Sequence, residues 1–252
     1  MGGRATVAVM LIEHRTYTLR LGSERLFWQA QALREPDGLA PILERAIGLF
    51  AVRTGPTDQI VGLYRYDDFE DWRSRLLGLP ARPQLRAYFE AVRPLIVRQE
   101  SRFVTPAPID ELSPVWRHGS ADWRPADGPL LAFDPTRARL EQTVLTFSAG
   151  GVASCWEAAR QSRLHEDPVA VQGWLGAFVT LVGPLNEVMI LRAFEDEAAL
   201  ADHRVRRAAS GTWQRFLTAL SPLVQASDTK VLAPAPISDM AALFPPTGNS
   251  SQ

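Results

Sequence analysis

One cysteine and four histidines occur in 252 residues, and each scarcity removes a class of function. With Cys155 alone, no intrachain disulfide can form and no cysteine cluster can hold a metal. A reducing, cytoplasmic setting fits that usage. His14, His118, His165 and His203 show no metal-ligand spacing such as His-x-x-x-His, so no metal site is expected. No run approaches the roughly 20 apolar residues of a membrane-spanning helix. The apolar patch from Val7 to Ile12 lacks the length and cleavage site of a secretion signal. Gly2 and Thr6 match a myristoylation pattern only formally. Formal net charge is −1, which draws the chain to neither nucleic acid nor an anionic membrane. Of 27 basic residues only Lys230 is lysine. With abundant Ala, Pro and Gly, that reads as a GC-rich, bacterial coding bias and not as an arginine-based binding device. Walker, G-x-G-x-x-G and G-x-S-x-G signatures are all missing, so nucleotide, dinucleotide and serine-hydrolase readings have no support.

What is present is a repeat. An offset of 128 residues pairs Glu13 with Glu141, Gly22 with Gly150, Trp28 with Trp156 and Gly48/Phe50 with Gly176/Phe178. It also pairs Gly55-Pro56 with Gly183-Pro184, Asp68 with Asp196 and Pro94-Leu95 with Pro222-Leu223. Pro106-Ala107-Pro108-Ile109 aligns with Pro234-Ala235-Pro236-Ile237. No gap is needed, and the Gly, Pro and Trp punctuation stays in register, which is the signature of a duplicated unit.

Each copy reads as the same string of elements. Ile12 to Leu19 is β-branched and aromatic and ends at Gly22, a strand and turn. Ser23 is placed to cap a helix carrying Leu26, Phe27, Ala30 and Leu33. Ile47 to Arg53 and Gln59 to Tyr66 form a hairpin around Gly55-Pro56. Asp68 caps a helix from Phe69 to about Leu79, and Pro83 starts another from Gln84 to Val92. Ile96 to Val104 is the last strand. The order β-α-β-β-α-β is the split βαβ unit of ferredoxin-like domains. Its helices cover one face of the sheet, yet neither face of Gln59–Tyr66 reads as a plain solvated face, so the second face needs a partner. The expectation is an α+β chain: ferredoxin-like units at 8–106 and 139–236, with antiparallel sheets packed as an intrachain α/β barrel. A connector at 107–138 is expected on the surface, carrying Trp116, Trp123 and Phe133. A tail at 237–252 parallels its start, with Phe244 in the place of Trp116 and disorder from Gly248 to Gln252.

These residues resemble the NIPSNAP family. Glu13-His14-Arg15-Thr16-Tyr17-Thr18-Leu19 is similar to its opening strand, E-x-R-x-Y-x-L. Gly48-Leu49-Phe50, Gly55-Pro56-x-x-Gln59 and Tyr66-Asp67-Asp68 resemble its middle hairpin. Arg93-Pro94-Leu95 and Gln99-Glu100-Ser101-Arg102 resemble its last helix and strand. The resemblance spans about Leu11 to Pro106, and more weakly Leu140 to Pro234. It implies the fold of the dimeric α/β barrel superfamily, which includes monooxygenases, isomerases, haem-degrading enzymes and chlorite dismutases, and it implies no single chemistry. The second copy departs from the strand motif with Gln142, Thr143 and Leu145, and has Arg192 where the first has Tyr64. Gly62 stands where members of the family often carry a histidine.

Glu13, Arg15 and Tyr17 alternate on one strand and so share a face. Together they could bind a carboxylate or enolate and move a proton, or they could be an Arg–Glu pair fixing the strand. His14 lies on the opposite face, a general base or a structural histidine. Gly62, Tyr64 and Tyr66 form a stripe in which the missing side chain leaves room for a flat ligand, or in which two tyrosines simply pack. Trp28, Trp156 and Cys155 read as core. The expected catalytic set is His14, Arg15 and Tyr17, with Glu13, Gly62, Tyr64, Tyr66 and Arg192 binding substrate. The expected function is a cofactor-independent isomerase or monooxygenase of bacterial metabolism, acting on an aromatic or enolisable small molecule between the first sheet and its helices. A non-catalytic ligand-binding or scaffold protein is the alternative, and a haem protein with one axial histidine the third reading. A homodimer of the fused pair is left open.

Overall fold

A computed structural model describes residues 10–35, 37–116, 124 and 127–246. Gly2, Thr6, the first residues of the apolar patch, His118, Trp123 and Gly248–Gln252 lie outside the described residues. The first copy runs β1 (Leu11–Leu19), α1 (Glu24–Ala30), α2 (Ala40–Leu43), β2 (Ala46–Thr54), β3 (Gln59–Tyr66), α3 (Phe69–Leu76), α4 (Arg86–Val92) and β4 (Ile96–Pro106). The second runs β5 (Arg139–Phe147), α5 (Gly151–Gln161), β6 (Trp174–Val182), β7 (Glu187–Phe194), α6 (Glu197–Ala209), α7 (Gly211–Leu220) and β8 (Val224–Pro234).

The expected helix starts are only partly realised. Asp68 accepts the Asp71 amide at 2.8 Å, and its equivalent Asp196 accepts the Ala199 amide at 2.9 Å, each satisfying a first-turn donor. Ser23 precedes α1 but makes no side-chain cap. Phe27 and Ala30 face inward, whereas Leu26 and Leu33 are exposed. Pro83 opens a single 3₁₀ turn, and α4 begins only at Arg86.

All eight strands are antiparallel and close into one barrel in the order β1-β3-β2-β8-β5-β7-β6-β4. Each copy's last strand therefore pairs with the other copy's second strand: Phe103–Pro106 with Phe178–Val182, and Val231–Pro234 with Phe50–Thr54. Closure satisfies edges that a lone four-stranded sheet would leave open. The two inner faces meet in one core that includes Ile12, Val61, Leu63, Leu140, Met189 and Leu191.

Residues 127–137 of the connector are mostly exposed or half-exposed, but other parts of it turn inward. Trp116 and Phe244, 128 residues apart, are both buried in the barrel core, and Leu131 and Phe133 pack against it. Leu130 and Leu131 donate backbone hydrogen bonds to the Leu243 carbonyl, so connector and tail close one end together. Apolar side chains alternating with turn residues gave the connector no strand or helix to follow into the barrel, but their burial is favourable wherever they go. The segments after β4 and β8 also cross over. Ala107, Ile109 and Leu112 join the helix-side core of the second copy, and Ala235 and Met240 join that of the first.

Trp116→Ala should cost about 3–5 kcal/mol by leaving a cavity in the barrel. Guanidinium denaturation would register this as a lower midpoint with an unchanged slope. Leu21→Ala, at an exposed position, should move the midpoint by less than about 0.5 kcal/mol.

Candidate active site

β1 divides its side chains between two compartments, and that division decides what can react with what. Odd residues point toward the helices and even residues into the barrel, as the period of two requires. On the helix side, the Glu13 carboxylate receives Arg15 Nε at 3.0 Å, Arg15 Nη2 at 2.7 Å, Ser101 Oγ at 2.7 Å and Trp72 Nε1 at 3.2 Å. Arg15 Nη1 donates to the Tyr17 hydroxyl oxygen at 3.2 Å. The guanidinium also sits 5.0 Å from the Tyr64 ring centroid, a cation–π contact. Burial pulls Arg15 toward its neutral form, but Tyr17, Tyr64 and Glu13 outweigh it and hold the guanidinium above its ordinary value. Arg15 is thus a fixed cation whose charge Glu13 already balances.

Beside this cluster lies a cavity of about 250 Å3 between β1, β2, β3 and the helices. Arg15, Tyr17, Tyr64 and Gln99 give it polar groups, and Phe27, Leu39, Ile42, Leu49, Leu76 and Tyr88 supply apolar wall. Met240 closes one side from the tail of the second copy. Its neighbour Asp239 is held by Arg34 at 2.5 and 2.6 Å. Burial pushes the Tyr64 phenol well up and that of Tyr88 to about 12, so both stay neutral hydrogen-bonding groups at physiological pH.

Three expected site residues stand elsewhere, and a fourth has its space taken. His14 faces the barrel interior, where Nε2 meets Gln142 Oε1 at 2.8 Å. Burial, then Arg102 nearby, lowers the imidazole to about 4. It cannot serve a cavity on the other side of its own strand. Tyr66 is fully buried in the helix-side core and does not line the cavity. Arg192 belongs to the second copy, stacked 4.4 Å from the Trp174 ring centroid and paired with Glu141 at 3.3 Å. Gly62 makes room for the protein itself: a Cβ there would meet Tyr64 Cε2 at 2.8 Å. The Tyr64 ring folds back over Gly62 much as Phe50 covers Gly48 and Phe178 covers Gly176. Gln99, Tyr88 and Met240 were not anticipated as lining. Gln99 lay in the family-like last strand and Met240 in the tail that parallels the connector, but neither position told which compartment the side chain enters.

The haem reading needs an axial histidine, and among the described residues none lines the cavity. His14 is tied to Gln142, and His203 is buried against Phe194. Among the described residues no group of three His, Cys, Asp or Glu side chains could hold a metal ion. No helix there is long and apolar enough to cross a membrane.

The NIPSNAP family profile matches residues 12–110 and 149–239. The chain belongs to the NIPSNAP family. It carries two tandem NIPSNAP domains. An uncharacterized NIPSNAP-like domain protein from Burkholderia xenovorans is 33% identical over 40% of this chain and 89% of its own, with a TM-score of 0.37. A Fusobacterium nucleatum protein with a suggested monooxygenase role is 10% identical over 90% of this chain and 93% of its own, with a TM-score of 0.58. An anthrone oxidase-like protein is 10% identical over 89% and 91%, with a TM-score of 0.55. At that identity the last two share the barrel fold and nothing finer. No curated protein sequence matches the chain.

The buried His14 has a pH consequence. Its folded value of about 4 lies below the ordinary 6.5, so the unfolded chain takes up a proton that the folded ring refuses. Stability is full above about pH 6.5 and falls as pH drops toward 4. The His14 share should be about 2–3 kcal/mol at pH 4.5. Urea midpoints at pH 7 and 4.5 should therefore fall further for the wild type than for His14→Gln.

Proposed function

We propose that the first copy is a small-molecule enzyme site that works without a cofactor on an aromatic or enolisable substrate. The observation that carries this reading is the cavity whose polar groups include Arg15, Tyr17 and Tyr64. At about 250 Å3 it falls just below the roughly 300–1,000 Å3 of pockets for drug-sized ligands, which favours a ligand of one or two rings.

The chemistry follows from how Arg15 is used. Because Arg15 Nη1 donates to the Tyr17 oxygen, the Tyr17 hydroxyl hydrogen is free to donate to a ligand oxygen. Negative charge developing on that oxygen, as an adjacent C–H loses its proton, would face a phenol and a buried guanidinium. Preorganised donors of this kind favour an enolate over its parent ketone. Tyr17 gives its hydroxyl proton to that oxygen, and its own oxygen, held by Arg15, takes the proton leaving carbon, so the phenol is restored as the enol forms; His14, on the barrel side, takes no part. Return of the proton to a different carbon gives an isomerase. Reaction of the electron-rich enolate with dioxygen gives a cofactor-independent oxygenase. There the substrate methylene becomes a carbonyl with one oxygen atom, and its two hydrogens leave with the other oxygen atom as water. The same barrel fold occurs in a Fusobacterium protein with a suggested monooxygenase role and in an anthrone oxidase-like protein, so the second outcome is the one to test first.

Native mass spectrometry of the purified chain should show one small aromatic or enolisable compound per protein. With that compound or its close analogues, Tyr17→Phe should lower turnover about 10²–10⁴-fold, with little change in Tm. Dioxygen uptake separates oxygenase from isomerase. Tight binding without any turnover would leave the ligand-binding alternative, and an empty cavity that rejects such compounds would overturn both.

A further inference from the structure

The second copy builds a different charge cluster from the same plan, with the Arg192 guanidinium 4.4 Å from the Trp174 ring centroid and 5.4 Å from that of Trp213. Glu141 occupies the place of Glu13, but its partners come from elsewhere. Arg204 Nε donates to Oε1 at 2.7 Å, Arg207 Nη1 to Oε2 at 2.8 Å, and Arg192 Nη1 to Oε2 at 3.3 Å. Three guanidiniums thus surround one carboxylate, where the first copy sets one against one. Arg192 and Glu141 are each only 1% exposed, so the excess positive charge lies partly out of water, where it is costly unless balanced.

Hydrogen bonding points the same way. Arg192 Nε and Nη2 have no partner, nor do Trp174 Nε1 and both ring nitrogens of His203. All five atoms are buried. Trp174 is the cross-strand neighbour of Arg192 and Glu141 its neighbour on the other side. The His203 ring stacks on Phe194, two residues along β7 on the same face as Arg192. Unpartnered buried donors are rare and call for an acceptor. Burial lowers both Arg192 and His203, and neighbouring Arg207 lowers each further, as expected where cations crowd. The Arg204 side chain is 42% exposed and that of Arg207 15%, which opens the cluster to solvent at α6.

We propose that this cluster binds a small oxyanion, a carboxylate or a phosphate, on Arg192, Arg204 and Arg207 at its solvent-facing side. The anion would supply the missing charge and accept from donors now left over. The two copies would then differ in ligand class: a neutral ring system in the first and an anionic group in the second. The inference does not depend on the reading of the first cavity.

The test uses the full-length protein exchanged into chloride buffer. Tm is followed against inorganic phosphate and, in parallel, acetate, with ionic strength held constant by sodium chloride. The expected result is a saturable rise of about 4 °C for at least one of them; which anion acts separates the phosphate source from the carboxylate source. Arg204→Gln, at a half-exposed site, should still fold and should weaken the anion about tenfold or more. Glu141→Gln should bind it more tightly than the wild type, because the competing carboxylate is gone. A Tm that stays flat with both anions, or a saturable rise unchanged by Arg204→Gln, would overturn the proposal.

Discussion

Barrel closure is the constraint on which the rest depends. A four-stranded ferredoxin-like sheet has two open edges and a second face that its own helices cannot reach. Here the far ends of β4 and β8 are lent to the opposite sheet, so both edges of each sheet are paired and both inner faces are covered at once. The trailing segments follow the same logic, each leaving its own unit to fill the helix-side core of the other. The first cavity therefore has a wall, Met240, that its own copy does not encode.

Within that shared frame the helix sides of the two sheets have separated chemically while keeping one anchor. Glu13 and Glu141 are both buried carboxylates on the first strand of their copies. In the first copy the cation comes from the same strand, two residues on, and the surrounding volume stays apolar. In the second, that strand position is Thr143, whose hydroxyl pairs with Thr229, and the cations come from β7 and α6. Arg192 takes the place that Tyr64 holds in the first copy. One carboxylate with different partners yields a balanced, apolar chamber on one side and a crowded cationic cluster on the other.

Much of this was legible in the residues. The offset of 128 revealed the duplication, and the strands lie within a residue or two of where β-branched runs and Gly-Pro turns put them. Alternation along β1 correctly separated His14 from Glu13, Arg15 and Tyr17. The duplication and the unpartnered second face pointed to the intrachain barrel that forms, but alternation alone could not say which face of β1 was its inside, because that depends on pairing between residues far apart in the chain. Gly62 was misread as room for a ligand because a glycine shows where a side chain is missing, not which neighbour takes the space. The inward turn at the connector's start was missed for a similar reason. Trp116 carries no periodic pattern around it, so its burial followed only from the hole that two packed sheets leave at one end.

His14 and Gln142 are equivalent positions, and they touch each other. In an assembly of two identical chains, a residue on the twofold axis meets its own copy, so it has to be its own complement. An imidazole facing an imidazole gives a poor neutral pair if both present N–H. Covalent fusion removes that requirement, since each partner on the axis is encoded separately. A histidine opposite a glutamine is a pairing that strict symmetry forbids, and it marks the barrel centre as a place where the two halves have already begun to evolve as different proteins.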